Sequence, residues 1–243
     1  MAGIERVVVT GASSGLGLDI ARRFLAAGSR VVINARDEGK LARARQALGA
    51  SDDRVIAVAG DIGDPQTARR LAAAARTQLG GADVLINNAG IFGAKAFLDA
   101  SVAELDAFYT TNVKGTFLVT QAITPLLIEA GGGTVINIGT VMVDQPTAAM
   151  PCAAAMASKA GVHALTRSLS VELARHRIRV NAIAPGIIRT PLIGDAADAL
   201  AKMALLGRVG EPSEISEAAL YLARAPFVTG VVLDVDGGYA HGR

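Results

Sequence analysis

The sequence predicts an α/β chain: a parallel β-sheet carrying helices on both faces. Three observations support this. Short β-branched runs recur seven times along the chain, at residues 7–10, 31–35, 55–59, 84–87, 135–138, 180–183 and 231–235. The runs are apolar almost end to end, as strands buried on both faces are, and lack the polar alternation of a half-solvated sheet. The stretches between them are patterned as helices.

In chain order, the clearest helical stretches are 16–27, 66–79, 102–129, 153–176 and 214–223. Pro65, Pro212 and Ser213 stand where helices start, and Gly28 and Gly80 where they stop. The stretch 102–129 contains Gly115 and Pro125, so a bend is expected within it. Residues 185–210 are the least regular, and 187–210 are expected to form a lid over a substrate. No internal repeat or composition shift divides the chain, so one domain is expected over 1–243.

The composition narrows the function. Of 243 residues 51% are hydrophobic and 19% charged, and 24 Lys+Arg against 22 Asp+Glu leave a net charge of +2. No basic block interleaved with aromatics appears, so neither nucleic acid nor an anionic membrane is an expected partner. Cys152 is the single cysteine and there are three histidines, which argues against a disulfide, a cysteine metal cluster or a zinc site. The opening MAGIERVVVTGASSG runs straight into a strand and a glycine turn, and no apolar stretch reaches the ~18 residues of a membrane span, so a cytoplasmic protein is expected.

The turn Thr10-Gly11-Ala12-Ser13-Ser14-Gly15-Leu16-Gly17 follows the first strand and opens the first helix. At such a junction a dinucleotide pyrophosphate meets backbone N–H groups and the positive end of a helix dipole. Gly11 permits the sharp turn, Gly15 lets the backbone approach phosphates, and Gly17 lets the helix sit close to the sheet.

With Asn87-Asn88-Ala89-Gly90 after the fourth strand, this Gly-x-x-x-Gly-x-Gly spacing resembles the short-chain dehydrogenase/reductase family. The resemblance extends over Gly60-Asp61, Asn112 in NVKGTF, residues 137–140, Ala157-Ser158-Lys159-Ala160-Gly161, Arg179-Val180-Asn181, Pro185-Gly186 and Asp236-Gly237-Gly238. It implies a Rossmann-like, doubly wound sheet of seven parallel strands in a three-layer α/β/α arrangement. It also implies NAD(P)(H) binding and hydride transfer between the nicotinamide and a carbonyl or alcohol carbon. By the same resemblance Asp61 with Ile62 lies at the adenine, Asn88, Ala89 and Gly90 line the ribose side, and Pro185, Gly186, Ile188 and Thr190 border the nicotinamide.

Residue 35, where NAD-preferring members carry aspartate, is Ala35, and Arg36 follows. A guanidinium can grip a 2′-phosphate in bidentate fashion, so NADP(H) is favoured, with NAD(H) as the alternative and Arg36 as an ordinary loop charge in that case.

In the family, a tyrosine supplies the proton to the carbonyl oxygen, and a lysine one helical turn later brings its pKa down from ~10. The resemblance places that lysine at Lys159, the relay asparagine at Asn112 and the substrate-binding serine at Thr140. The tyrosine position, four residues before Lys159, holds Ala155. Cys152, Asp144, His163 or a bound water are the candidate substitutes; their plainer readings are a buried small residue, a loop or capping residue, a surface or subunit-contact residue, and solvent. Three functions follow: an oxidoreductase altered by Ala155, a non-catalytic dinucleotide sensor or scaffold, and an inactive subunit of a hetero-oligomer. Residues 191–193 and 203–206 bracket Asp195 and Asp198 with apolar side chains, so a medium-sized, largely apolar ketone or secondary alcohol is the expected substrate, unless those side chains simply pack on the sheet. The resemblance also implies a homotetramer or dimer packed through the helices 102–129 and 153–176, and the alanine-rich face of Ala153, Ala157, Ala160 and Ala164 permits that close approach.

Overall fold

A computed structural model of the chain describes residues 6–51, 53–191, 193–194 and 197–241. Leu192 and Asp195 of the expected lid lie outside the described residues. In chain order the elements are β1 (Arg6–Val9), α1 (Gly15–Ala26), β2 (Arg30–Ala35), α2 (Glu38–Leu48), β3 (Val55–Ala59), α3 (Pro65–Ala74), β4 (Val84–Asn87), α4 (Val102–Phe108) and α5 (Thr116–Glu129). Then follow β5 (Gly133–Ile138), α6 (Ala153–Glu172), β6 (Ile178–Pro185), the short α7 (Ala197–Leu200), α8 (Pro212–Arg224) and β7 (Val232–Val235).

Each predicted β-branched run is a strand. All pair in parallel in the order β3-β2-β1-β4-β5-β6-β7, the Rossmann-like doubly wound arrangement. Successive residues of one strand supply opposite cores. Val7 and Val9 join Ile20, Phe24, Leu41, Ile215 and Leu220 under α1, α2 and α8. Val8 joins Leu71, Val119, Ile123 and Leu127 under α3 and α5. The strand order reverses between β1 and β4, and the loops after these two strands therefore diverge and leave a crevice at the carboxyl edge of the sheet.

Two features depart from the sequence-based reading. Helix α2 lies in one of the intervening stretches read as helical, but its bounds were not legible: beside the edge strand β3 it buries only Leu41 and Ala44, too few to write an apolar stripe, and it is defined by its ends, Asp37 accepting from Lys40 N and Gly49 in the left-handed region at φ 63°. The stretch 102–129 is three pieces, with a π-helical segment, Tyr109–Gly115, joining α4 to α5. Gly115 itself keeps a helical backbone, at φ −60°, and leads directly into α5, which continues through Pro125. Gly115 is required by its neighbour: a Cβ there would stand 2.6 Å from Ile62 Cδ1.

Candidate active site

The glycine turn between β1 and α1 is shaped by backbone. Gly11 and Gly15 both take left-handed conformations, φ 66° and 55°, that side chains disfavour. A Cβ on Gly17 would fall inside van der Waals contact with Gly11 O and Asn88 Nδ2, so this glycine lets α1 close on the turn and on the β4 loop. The Cβ direction of Gly15 is different: it opens toward Thr190, at 3.7 Å. The N-cap Ser14 makes no side-chain cap and the first turn of α1 holds no acid. The first N–H groups of the helix therefore have no carboxylate competing for them, and the slot between Gly15 and Thr190 suits a phosphate group.

Thr10 and Asn88 stitch the two loops of the crevice together. Asn88 Nδ2 donates to Thr10 O and Gly11 O at 3.0 and 2.9 Å, and Thr10 Oγ1 accepts from Asn88 N and Ala89 N, each at 3.1 Å. Thr10 had no role in the sequence-based reading. Its position as the last residue before the glycine turn was the signal.

Beyond Gly90 the side-chain cluster begins. The Cβ direction of Gly90 points at Asn112 Oδ1 and Lys159 Nζ, 3.0 and 3.2 Å from where that atom would sit. Asn112, buried in the π-helical segment, accepts from Ile91 N at 2.9 Å and donates to Ile91 O at 3.0 Å and to Ser158 Oγ at 2.9 Å. Ser158 in turn donates to Ala155 O at 2.7 Å. Lys159 donates to Ile138 O at 2.8 Å, and burial pulls its ammonium down to about 8. The π geometry re-aims one turn of helix so that Asn112 reaches both the β4 loop and α6. In the sequence Ser158 stands only within a motif; in the structure it is fully buried and bridges Asn112 and the Ala155 carbonyl.

Around this cluster the remaining candidates sort by burial. Ala155 is 1% exposed, on the same face of α6 as Lys159. Thr140 Oγ1 accepts from Met142 N at 3.3 Å, at the start of the turn after β5. Cys152 is buried, and burial pushes its thiol up, so it stays protonated at neutral pH. Asp144 is exposed in the loop. His163 corrects the sequence-based reading: it is 2% exposed, not a surface residue, because the ring turns inward onto Gly139.

At the far ends of the crevice, Arg36 is exposed just past β2. The adjacent acid, Asp37, is turned into the α2 N-terminus, and the Lys40 N–H, with the Lys40 and Arg43 charges, holds its carboxyl below the usual range. Asp61 Oδ1 accepts from Gly63 N at 2.8 Å, while Ile62 is buried against Gly115, leaving only its backbone to face a ligand. Pro185 ends β6, Gly186 N donates to Val235 O, and Ile188 is buried and bridges to Gly210. Of the apolar side chains of the expected lid, Leu205 and Leu206 are exposed, while Met203 packs against the cluster of Val141, Ala184 and Tyr239. Among the described residues no group of three His, Cys, Asp or Glu could hold a metal ion, and no helix is long and apolar enough to cross a membrane.

The family profile described as short chain dehydrogenase matches residues 5–200. Galactitol 2-dehydrogenase (L-tagatose-forming) of Cereibacter sphaeroides is 38% identical over 95% of this chain and 93% of its own length. A crystal structure of a short-chain type dehydrogenase/reductase from Mycobacterium marinum superposes with a TM-score of 0.92 at 33% identity, covering 98% of this chain and 96% of that one. A 3-ketoacyl-(acyl-carrier-protein) reductase from Brucella melitensis complexed with NADH gives 0.91 at 32% identity, over 97% and 98% of the two chains.

Proposed function

The chain belongs to the short-chain dehydrogenase family, and from that premise we propose that it is an NADP(H)-preferring oxidoreductase acting on a ketone or secondary alcohol, with Ala155 at the position of the family's tyrosine. One observation carries the reading: the uncapped N-terminus of α1 and the Lys159–Asn112 pair face one crevice across Asn88, Ala89 and Gly90. When bound, the nicotinamide cofactor accepts or supplies the hydride.

The chain's residues do the rest. Gly11, Ser13, Ser14, Gly15, Leu16 and Gly17 present backbone to the pyrophosphate, with Thr190 opposite. Asp61, Ile62 by its backbone, and residues 88–90 border the adenosine and ribose, and Pro185, Gly186 and Ile188 shape the wall that carries Thr190. Arg36 meets the 2′-phosphate; support comes from its exposure and from Asp37 being engaged as a helix cap. Lys159 orients the ribose, and Thr140 hydrogen-bonds the substrate oxygen. Asn112 holds the β4 loop to α6, so Lys159 stays in register with the glycine turn. Ala155 offers no proton, so a water between Lys159 and Thr140 is the donor, at a rate lower by ~10² to 10⁴ than a positioned acid allows.

Exposed Leu205 and Leu206 in the expected lid segment favour an apolar substrate, while the galactitol 2-dehydrogenase relative is named for a polyol, so the panel must hold both classes. Exposed Ala153, Ala157, Phe117 and Ile128 on α5 and α6 support a dimer or tetramer, which light scattering decides. The lone cysteine suits a cytoplasmic protein.

The test is NADPH oxidation by this chain and by Ala155→Tyr over apolar ketones, ketoses and polyols. The tyrosine variant should react ~10² faster with NADPH affinity barely changed. A tyrosine variant as slow as the parent, in a chain that still binds NADPH, would transfer the assignment to a non-catalytic binding protein.

A further inference from the structure

We propose that His163 is a positioning residue, whose imidazole packs against the Gly139 peptide and holds the Ile138 carbonyl and the Thr140 hydroxyl in place for Lys159. The proposal rests on the reading of Lys159 and Thr140 as site residues. Ala155, Lys159 and His163 follow one another at intervals of four on α6 and so share one face. The chain leaving β5 crosses that face. Ile138 O accepts from Lys159 at 2.8 Å and Thr140 carries the hydroxyl, so the peptide between them sets the spacing of both groups.

That peptide is held from two sides. On the β6 side, Gly139 N donates to Ile183 O at 2.7 Å. On the α6 side it meets His163: a Cβ on residue 139 would fall inside van der Waals contact with His163 Nε2, so the ring occupies the space that a side chain on residue 139 would need. Gly139 and His163 are thus complementary, and neither can grow without displacing the other.

The ring is there at a cost. His163 is 2% exposed, and its Nε2 has no hydrogen-bond partner among the described residues. A buried unpaired nitrogen destabilises, and an aliphatic side chain would fill volume without it. A flat ring, however, lies on a peptide where a branched side chain is too thick. The charged groups bearing on it are Asp144 from the loop after β5 and Arg167 and Lys159 from its own helix. Burial, aided by the two cations and opposed by Asp144, keeps the imidazole below its usual pKa, so it rests neutral beside the lysine.

A double-mutant cycle tests this with Gly139→Ala, His163→Ala and the pair, read by NADPH titration, by ¹⁵N-lysine NMR of the Lys159 ammonium and by thermal unfolding. Gly139→Ala should weaken NADPH binding about tenfold, and adding His163→Ala should recover at least about threefold of that loss. His163→Ala alone should move the Lys159 midpoint away from about 8, and His163→Gln, which restores a flat polar group, should bring it back. Additive effects, or a His163→Ala chain with unchanged Lys159 midpoint and NADPH affinity, would overturn the proposal. If the parent chain binds neither NADPH nor NADH, the oxidoreductase reading fails, while the lysine midpoint and the unfolding cycle still decide the role of His163. Should His163→Ala fail to fold, His163→Gln against His163→Leu gives the same comparison: equal Lys159 midpoints in the two count against positioning, and a shift in leucine alone supports it.

Discussion

The glycine turn and the lysine cluster adjoin the same β4 loop, yet they are built in opposite ways. The turn is eight consecutive residues, 10–17, whose backbone shape follows from two left-handed glycines and a third that admits a close helix. The cluster gathers Gly90, Ile91, Asn112, Ile138, Ser158 and Lys159 from four separate segments, joined by side-chain hydrogen bonds of 2.8 to 3.0 Å. A site made of local backbone tolerates changes elsewhere and fails when its own atoms gain bulk. A site assembled from distant side chains is sensitive to whatever holds those segments in register.

The largest expected effect tests the turn. Gly17→Ala places a Cβ against Asn88 Nδ2 and against Gly11 O, a backbone atom that cannot rotate away. Overpacking of this kind costs about 1 to 3 kcal/mol, and the displaced helix should lose dinucleotide binding by roughly a hundredfold. Urea unfolding and calorimetric titration measure the two losses; an affinity within threefold of the parent would show that the turn is not the binding element.

An intermediate effect is expected for Lys159→Met. The folded-state pKa of Lys159, about 8, lies below the ~10.4 of an unfolded lysine, so between these values the unfolded chain binds more protons and stability rises with pH. Below about pH 8 both states carry the charge and the burial penalty is present in full. Lys159→Met should therefore be the more stable chain at neutral pH, flatten the rise between pH 8 and 10, and bind NADPH about tenfold more weakly. A parent and variant with parallel stability curves across that window would mean that the ammonium is not buried in solution.

The smallest effect lies at the far end of the crevice. Arg36→Ala should weaken NADPH about tenfold and leave NADH unchanged, since Ala35 and the capping Asp37 contribute nothing to a free ribose diol. Equal losses for both cofactors would assign Arg36 a structural role, and no loss for either would remove it from the site.

Much of this was legible beforehand because it rests on short-range signals. Apolar runs without alternation gave all seven strands, and the glycine spacing marked the turn. The limits of helix α2 were not legible because an edge helix with two buried residues leaves almost no periodic trace. Ser158 and Thr10 were overlooked because a small hydroxyl residue looks the same in sequence whether it is solvated or bridges two loops. His163 was misplaced for the same reason: helical spacing puts it on the face of Lys159, but only the absence of a side chain at Gly139 lets the ring turn inward.

The sequence by itself determined the sheet, its parallel sense, the glycine turn and the alanine four residues before Lys159. These are matters of period, of conformational freedom at glycine and of chemical identity, all of them local. Only the tertiary structure decided which atoms meet: that Asn112 reaches Ile91 and Ser158 from a π-helical turn, that Lys159 donates to Ile138 O, and that His163 lies on Gly139. Those contacts join residues 20 or more positions apart, and their distances depend on how α5 and α6 seat on the sheet, a packing outcome that no single stretch of sequence encodes.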